Sequence, residues 1–404
     1  MRLVAAFLPP FRTTPSALGV LSWLLLAFTP VAAAADPIVV GVITSRSGAA
    51  AATGSSQALA ATAWASRVRA AGGVFGVPVQ IVLADDESNP RRATEEATRL
   101  IAEGVHVLVC CTTSSASRDV AGLAEAAGVP LLSPSSFDGA GRSSGQEASY
   151  WSFDFALRES DALAAVIADA HRLGAQSVAL MTLNNAFGDE TLESARALAA
   201  VAGLNVAAEI RYPPGTRELR PEALWVATRQ PGAVIVWGLA DDLEVAVSAL
   251  RRRGYVGPVY ARSALLAPGY PRPSFAHLAE VRFAVAPALV QASLASDAPC
   301  AEAATRAAAV LAVVHGGIVD LPSAAPVIDA LELVEAAVEQ VIALQLPDVS
   351  VAAMRQALRD GLVALPERCG ALGIIDLVDG RSAAVVPRGL AISVVTNGGL
   401  VSAR

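Results

Sequence analysis

The stretch Val105–Phe137 reads VHVLVCCTTSSASRDVAGLAEAAGVPLLSPSSF, and it decides the fold. It divides into strand, loop, helix, strand and loop. The first run is short and continuously apolar, as in a parallel strand buried on both faces. Ser114 or Ser115 is expected to cap a helix that starts near Ala116. Val129–Leu132 reads as a second buried strand and runs into Ser133, Pro134, Ser135, Ser136 and Phe137. Two neighbouring strands therefore end in hydroxyl-rich loops on one edge of a sheet. That edge, outside the carboxyl ends of parallel strands, is where open α/β folds bind ligands. The free amides of a helix start also suit a carboxylate or another anion. The alternative is that these serines only cap helices and fill turns.

The pattern extends in both directions. Ile38–Ile43 is a buried strand, followed by a small-residue loop over Thr44–Gly54. A helix is expected from Ser55 or Ser56 to about Ala71, where Gly72 and Gly73 stop it. Val79–Leu83 and a helix over Pro90–Ala102 complete a βαβα alternation, the mark of a doubly wound parallel sheet. Asp85, Asp86 and Glu87 between them read as a turn, because three consecutive acids cannot converge on one ion. Tyr150–Phe155 is expected to cross to a second lobe with the same alternation. Its strands, Ser177–Leu183, Leu204–Ile210, Ala233–Trp237 and Pro258–Ala261, alternate with four helices. The loops Asn184–Gly188, Gly238–Asp242 and Arg262–Ala264 then lie at carboxyl ends of strands. Val281–Pro287 is expected to cross back, and helices follow at about Cys300–His315, Pro326–Ala343 and Val351–Asp360. Gly373–Val378 and Leu390–Val395 read as a strand pair around Asp379 and Gly380. Two α/β lobes joined by more than one crossing make a hinged clamp.

Composition narrows the class. The 404 residues suit two domains, and 54% hydrophobic against 17% charged residues supplies a large core. The net charge of −7, without a run of like charges, argues against a nucleic-acid partner. His106, His171, His277 and His315 show no metal-ligand spacing. No G-x-S-x-G elbow, Ser/His/Asp arrangement or phosphate loop occurs, so neither catalysis nor a cofactor is expected. An exported hydrolase is the enzyme alternative. Residues 1–35 read as an export signal: Arg2 and Arg12, an apolar run over Ala17–Phe28, then Ala33-Ala34-Ala35 before Asp36. An uncleaved signal anchor is the other reading. Cys110 and Cys111 are expected to pack free, as small hydrophobes. Cys300 and Cys369 can bridge in an oxidising compartment, although sequence does not fix their distance.

Several pieces together resemble the periplasmic solute-binding proteins of branched-chain amino-acid type ABC importers. They are Ile38–Ile43 with Ser47, Gly48 and Gly54, Ala71–Val79 (AGGVFGVPV), and Ala84–Pro90 (ADDESNP) with Ala93. Gly104–Val109, Gly128–Ser136 and Leu183–Gly188 complete the set. The resemblance runs from about Pro37 to the end. It implies the type I periplasmic binding protein fold, two doubly wound lobes on a multi-strand hinge. Lobe I would comprise 36–156 plus 287–372, and lobe II 157–286 plus 373–404. It further implies a periplasmic monomer that captures a small molecule between its lobes and delivers it to an inner-membrane ABC permease. Such a chain makes and breaks no bond. A ligand sensor of the same fold is the alternative role.

Carried over by position, Ser114 matches the family serine that holds a ligand carboxylate. Ser135, Ser136 and Phe137 match the loop that contacts carboxylate and ammonium. Thr53 stands where an aromatic often covers the side chain, and Phe187 matches the second-lobe aromatic. Ala240 and Ser263 stand near two further second-lobe contacts. Amino-acid binders usually place an acid at the Ser263 position and a small hydroxyl residue at the Phe137 position. A buried ammonium without a counter-charge costs on the order of several kcal/mol. Both departures favour a carboxylate or a partly apolar metabolite over a standard branched-chain amino acid. Asp241 or Asp242 is a substitute acid, unless both serve the helix start there. Some relatives bridge the Cys110–Cys111 loop to the acidic loop, where this chain has Ser88.

Overall fold

Strand formation follows the apolar runs closely. In the computed structural model, which describes residues 36–135, 149–154, 157–266, 278–312, 320–344, 349–377, 385–396 and 399–403, these runs become the central strands of two sheets. The first sheet holds β1 (Ile38–Thr44), β2 (Val79–Asp85), β3 (Val107–Cys110), β4 (Leu131–Ser133) and β5 (Ser152–Asp154). Its order is β2-β1-β3-β4-β5, and every pair is parallel. Helices α1 (Ala51–Ala70), α2 (Pro90–Ala102) and α3 (Ser114–Ala127) connect its first four strands. A crossover helix on each connection is what parallel pairing demands.

The second sheet collects β6 (Ser177–Leu183), β7 (Asn205–Tyr212), β8 (Ala233–Trp237), β9 (Val259–Ala261) and β10 (Val281–Val285), then β14 (Ala391–Thr396) and β15 (Gly399–Ser402). The order is β15-β14-β10-β9-β8-β6-β7, parallel from β7 to β10 and antiparallel beyond. Its helices are α4 (Glu159–Arg172), α5 (Ala186–Val201), α6 (Arg220–Thr228) and α7 (Ala240–Arg252). The chain leaves this sheet after β10 for α8 (Ala301–Ala312), α9 (Leu321–Ala343) and α10 (Val351–Val363). Of these, α9 packs on α1, α8 and α10. A small antiparallel sheet of β11 (Arg368–Gly370), β12 (Gly373–Ile375) and β13 (Val385–Val386) precedes the return to β14. The architecture is the two-lobed type I periplasmic binding protein fold.

Several elements differ from the sequence reading. Helix α1 starts at Ala51, not at Ser55 or Ser56. A Cβ on Gly54 would stand 2.0 Å from the Ser45 carbonyl oxygen, so the helix lies directly on the turn after β1. Ser56 bonds back to the Ala52 carbonyl, as a serine inside a helix does. Helix α3 starts at Ser114 with Thr113 as N-cap residue, and no side chain caps it. The strand near Phe153 stays in the first sheet beside β4, and the strand near Phe283 stays in the second beside β9. The crossings lie in the segments that follow them. The two tail strands do not pair with each other: β12 joins β11 and β13, whereas β14 joins β10 and β15. Helix α9 begins at Leu321, five residues before Pro326. Asp320 accepts from the Ser323 N–H there, and Pro322 takes the early helical position that suits proline.

One apolar cluster links the inner faces of α1, α9 and β3 with α4, β6 and β8; Trp64, Trp237 and Tyr260 are its largest fully buried members. Alanine lets α1 and α9 approach closely, which accounts for the low aromatic content of so large a core. Among the described residues no helix is long and apolar enough to cross a membrane.

Candidate functional site

The carboxyl edge of the first sheet is built from hydroxyls. The Ser45 N–H donates to Thr112 Oγ1 at 2.9 Å, and Thr112 donates to Gln57 Oε1 at 2.6 Å. Thr112 thus ties the turn after β1 directly to the loop before α3, and its bond to Gln57 ties both to α1. Ser45 Oγ donates to Asp86 Oδ1 at 2.6 Å, and the Ser88 N–H donates to the same oxygen at 2.9 Å. Burial pushes the Asp86 carboxyl up against these two bonds.

Next to it lies a second network around Ser117, which is fully buried. Its Oγ accepts from the Cys111 N–H at 3.0 Å and from Ser133 Oγ at 2.9 Å. Ser135 Oγ lies 2.8 Å from Ser117 Oγ and donates to the Cys111 carbonyl at 2.9 Å. These bonds fix the two loops that end β3 and β4. Ser114 remains exposed at the first position of α3, and no acid stands in that helix's first turn. Beside it, Thr113 Oγ1 is buried without a hydrogen-bond partner among the described residues. Thr53 is half-buried in the first turn of α1. The fold therefore brings Thr53, Ser114 and Ser135 to one edge. Ser136 and Phe137 lie outside the described residues.

The acidic run after β2 works on its own loop. Asp85 accepts from the N–H groups of Arg46, Ser47 and Glu87 and from the Ser47 hydroxyl. Burial raises its pKa, but these donors outweigh burial and hold the carboxyl below its ordinary value. Ser88 accepts from the Ala50 N–H and donates to the Ser47 carbonyl, which closes the same turn. Among the described residues no group of three or more His, Cys, Asp or Glu is placed to hold a metal ion. His106 accepts from the Val39 N–H at 2.9 Å, a structural role. The free thiols expected at 110 and 111 do not occur: Cys110 and Cys111 are buried but joined to each other. Strand β3 ends at Cys110, so the pleat no longer forces Cys111 onto the opposite face. Cys300 is joined to Cys369.

On the second sheet, Asn185 caps α5 by accepting from the Gly188 N–H at 3.0 Å. A Cβ on Gly188 would stand 1.8 Å from the Leu183 carbonyl oxygen. That close seat places half-buried Phe187 at the carboxyl end of β6. Arg262, at the end of β9, lies over the Phe187 ring at 5.0 Å and pairs with Glu159 at 2.6 Å. Ser263 follows it and lines a cavity of about 160 Å³ with Leu157, Arg158, Glu159 and Ala162. Ala240 opens α7 at the end of β8. Asp242 is buried and accepts from the Gly215 N–H at 3.1 Å, while the N-cap position of α7 belongs to Leu239. A larger cavity of about 490 Å³ lies at the opposite, amino-terminal end of this sheet, along Ala175, Gly232, Pro258 and Glu280. It touches none of the carboxyl-end loops.

Sequence reasoning missed Ser117, the Thr112–Gln57 pair, and Arg262 with Glu159. Arg262 was within sight, since it directly precedes Ser263. Glu159 is 104 residues upstream of Ser263 and is brought beside it only by the packing of α4.

A family model described as periplasmic binding protein matches residues 37–381. The chain belongs to the periplasmic binding protein family. This family comprises ligand-binding receptors of the branched-chain amino acid ABC transporter type. A candidate branched-chain amino acid ABC transporter protein from Rhodospirillum rubrum is 26% identical, with a TM-score of 0.71 over 91% of this chain and 100% of that one. An extracellular ligand-binding receptor from Rhodopseudomonas palustris HaA2 is 19% identical, with a TM-score of 0.64 over 91% of this chain and 99% of that one. The branched-chain amino acid transporter substrate binding protein of Streptococcus pneumoniae, solved with isoleucine, is 20% identical; its TM-score is 0.59 over 91% of this chain and 99% of that one. The last two likenesses bear on the fold alone. No curated protein matches the sequence.

Proposed function

We propose that this periplasmic binding protein is the exported solute-binding component of an ABC importer. It captures a small carboxylate or partly apolar metabolite and delivers it to a membrane permease, without catalysis. Its lobes would be 36–156 plus 287–372 and 157–286 plus 373–404, and the ligand would stabilise the form in which both touch it. The observation that carries this reading is the hydroxyl-lined start of α3. Exposed Ser114, Thr113 with its buried Oγ1, and the free N–H groups of the first turn suit a carboxylate, and no acid in that turn opposes it. Phe187 supplies an apolar surface on the other lobe.

A second reading, binding of a standard branched-chain amino acid, is favoured by one observation: Glu159 shares a cavity with Ser263 and sets an acid where an ammonium would lie. A thermal-shift screen of the mature protein against aliphatic and aromatic carboxylates, leucine and valine separates the two. A ligand above its dissociation constant raises the melting temperature by mass action. Shifts with carboxylates, weakened about tenfold or more in affinity by Ser114→Ala, are expected for loss of one hydrogen bond to a charged group. Shifts confined to leucine and valine would restore the amino-acid reading.

A further inference from the structure

We propose that the second lobe reads an anion, so that the ligand is a dicarboxylate whose distal carboxylate pairs with Arg262. This rests on the carboxylate reading above and adds the chemistry of the ligand's other end. The chain sets Arg262-Ser263 directly after β9, at the carboxyl edge of the second sheet. The Arg262 side chain is only 14% exposed, and its guanidinium is held between the face of Phe187 and the Glu159 carboxylate. Its Nε is buried and has no acceptor among the described residues. A cation seated in this way is pre-organised, which is what a planar guanidinium offers a carboxylate.

Glu159 is the looser member of the pair. Its side chain is 42% exposed at the first position of α4, and it lines the cavity that Ser263 also lines. Release of the half-exposed Glu159 carboxylate restores its hydration, and a ligand carboxylate arriving in its place leaves no buried cation unpaired on Arg262. A ligand carboxylate that displaced Glu159 would inherit the bond to Arg262 and gain the Ser263 hydroxyl beside it. An ammonium seated on Glu159 would instead meet Arg262 at ion-pair range, with Arg158 on the same cavity wall. Asp154 lies 3.8 Å from Arg158, is almost fully buried and is not among the residues that line the cavity. Like charges at such a separation disfavour the ammonium. Glu159 therefore acts as a place-holder for the second carboxylate.

Calorimetry on the mature protein with matched probes tests this: adipate against hexanoate, terephthalate against benzoate, and leucine. Each diacid is expected to bind about tenfold or more tightly than its monoacid, the ratio for one added charge-assisted contact. Glu159→Gln should tighten the diacid, and Arg262→Gln should bring the pair within about twofold. Should Arg262→Gln fail to fold, the wild-type ratio and Glu159→Gln still decide. Equal binding of diacid and monoacid overturns the inference and leaves the carboxylate reading intact. Binding of leucine that Glu159→Gln abolishes also overturns it and assigns Glu159 to an ammonium. Failure of all five probes to bind overturns the carboxylate reading itself.

Discussion

Replacement of Asp329 by asparagine should destabilise the protein more at pH 5 than at pH 7. Asp329 lies on α9, 2% exposed, and its two oxygens accept from the N–H groups of Ala371 at 2.7 Å and Leu372 at 2.8 Å. It thereby holds the turn between β11 and β12. A Cβ on Gly370 would stand 2.6 Å from Asp329 Oδ2, so the turn is pressed against the carboxyl. Burial raises its pKa from 3.8 to about 7, opposed by the two N–H donors and by Arg306, while Glu332 adds to the rise. Over the window between those values the folded state binds a proton that the unfolded chain has lost. Stability from this group therefore grows as pH falls through 7 and is complete below 3.8. Integration between pH 7 and pH 5 gives about 2 kcal/mol. Asparagine has no proton to gain, and its amide nitrogen would face one N–H, a mismatch of about 1–3 kcal/mol at any pH. Urea unfolding of both proteins at a series of pH values measures the difference and cancels the other titrating groups. A wild-type minus Asp329→Asn difference that stays constant from pH 7 to pH 5 would refute the reasoning.

Four further outcomes are expected. The Cys300–Cys369 bridge closes a loop with a sequence separation of 69, so Cys300→Ser with Cys369→Ser should cost about 4 kcal/mol in the chain-entropy model. Thiol titration of the unfolded, unreduced protein should find no free thiol, since all four cysteines are paired, and any reactive thiol contradicts that pairing. Burial and the nearby Arg355 depress the His106 pKa below 6.5, so its contribution is intact above 6.5 and is lost as pH falls through the folded value. Its NMR titration should lie below that of a free imidazole, and an ordinary midpoint would contradict its burial. Ser117→Ala should cost about 1–3 kcal/mol, because the Cys111 N–H would be left buried without an acceptor. The same substitution should weaken ligand binding through Ser135; unaltered affinity would detach the Ser117 network from the site.

The sequence by itself determined which segments are central strands. Ser177–Leu183 and Ala233–Trp237 were read with their observed bounds, because a parallel strand buried on both faces must be a continuous apolar run. Pro90–Ala102 was equally legible, with Asn89 to cap it and Pro90 to open it. The βαβ alternation by itself puts Ser114, Ser135, Phe187 and Ser263 at carboxyl ends of strands. Helix starts were less legible. Serines advertise caps, but α1 and α3 begin earlier, where backbone contact with the preceding strand allows.

Only the tertiary structure decided which strand joins which sheet, since an apolar run is compatible with either. The strands near Phe153 and Phe283 pair with β4 and β9, so the chain crosses only after each of them. Only the tertiary structure set Arg262 over Phe187 and against Glu159. Those three residues come from three separate turns of the chain, and no local spacing relates them. Charge at a binding site is a sum over neighbours in space. A chain read in order shows the hydroxyl at Ser263 but not the carboxylate that α4 brings beside it.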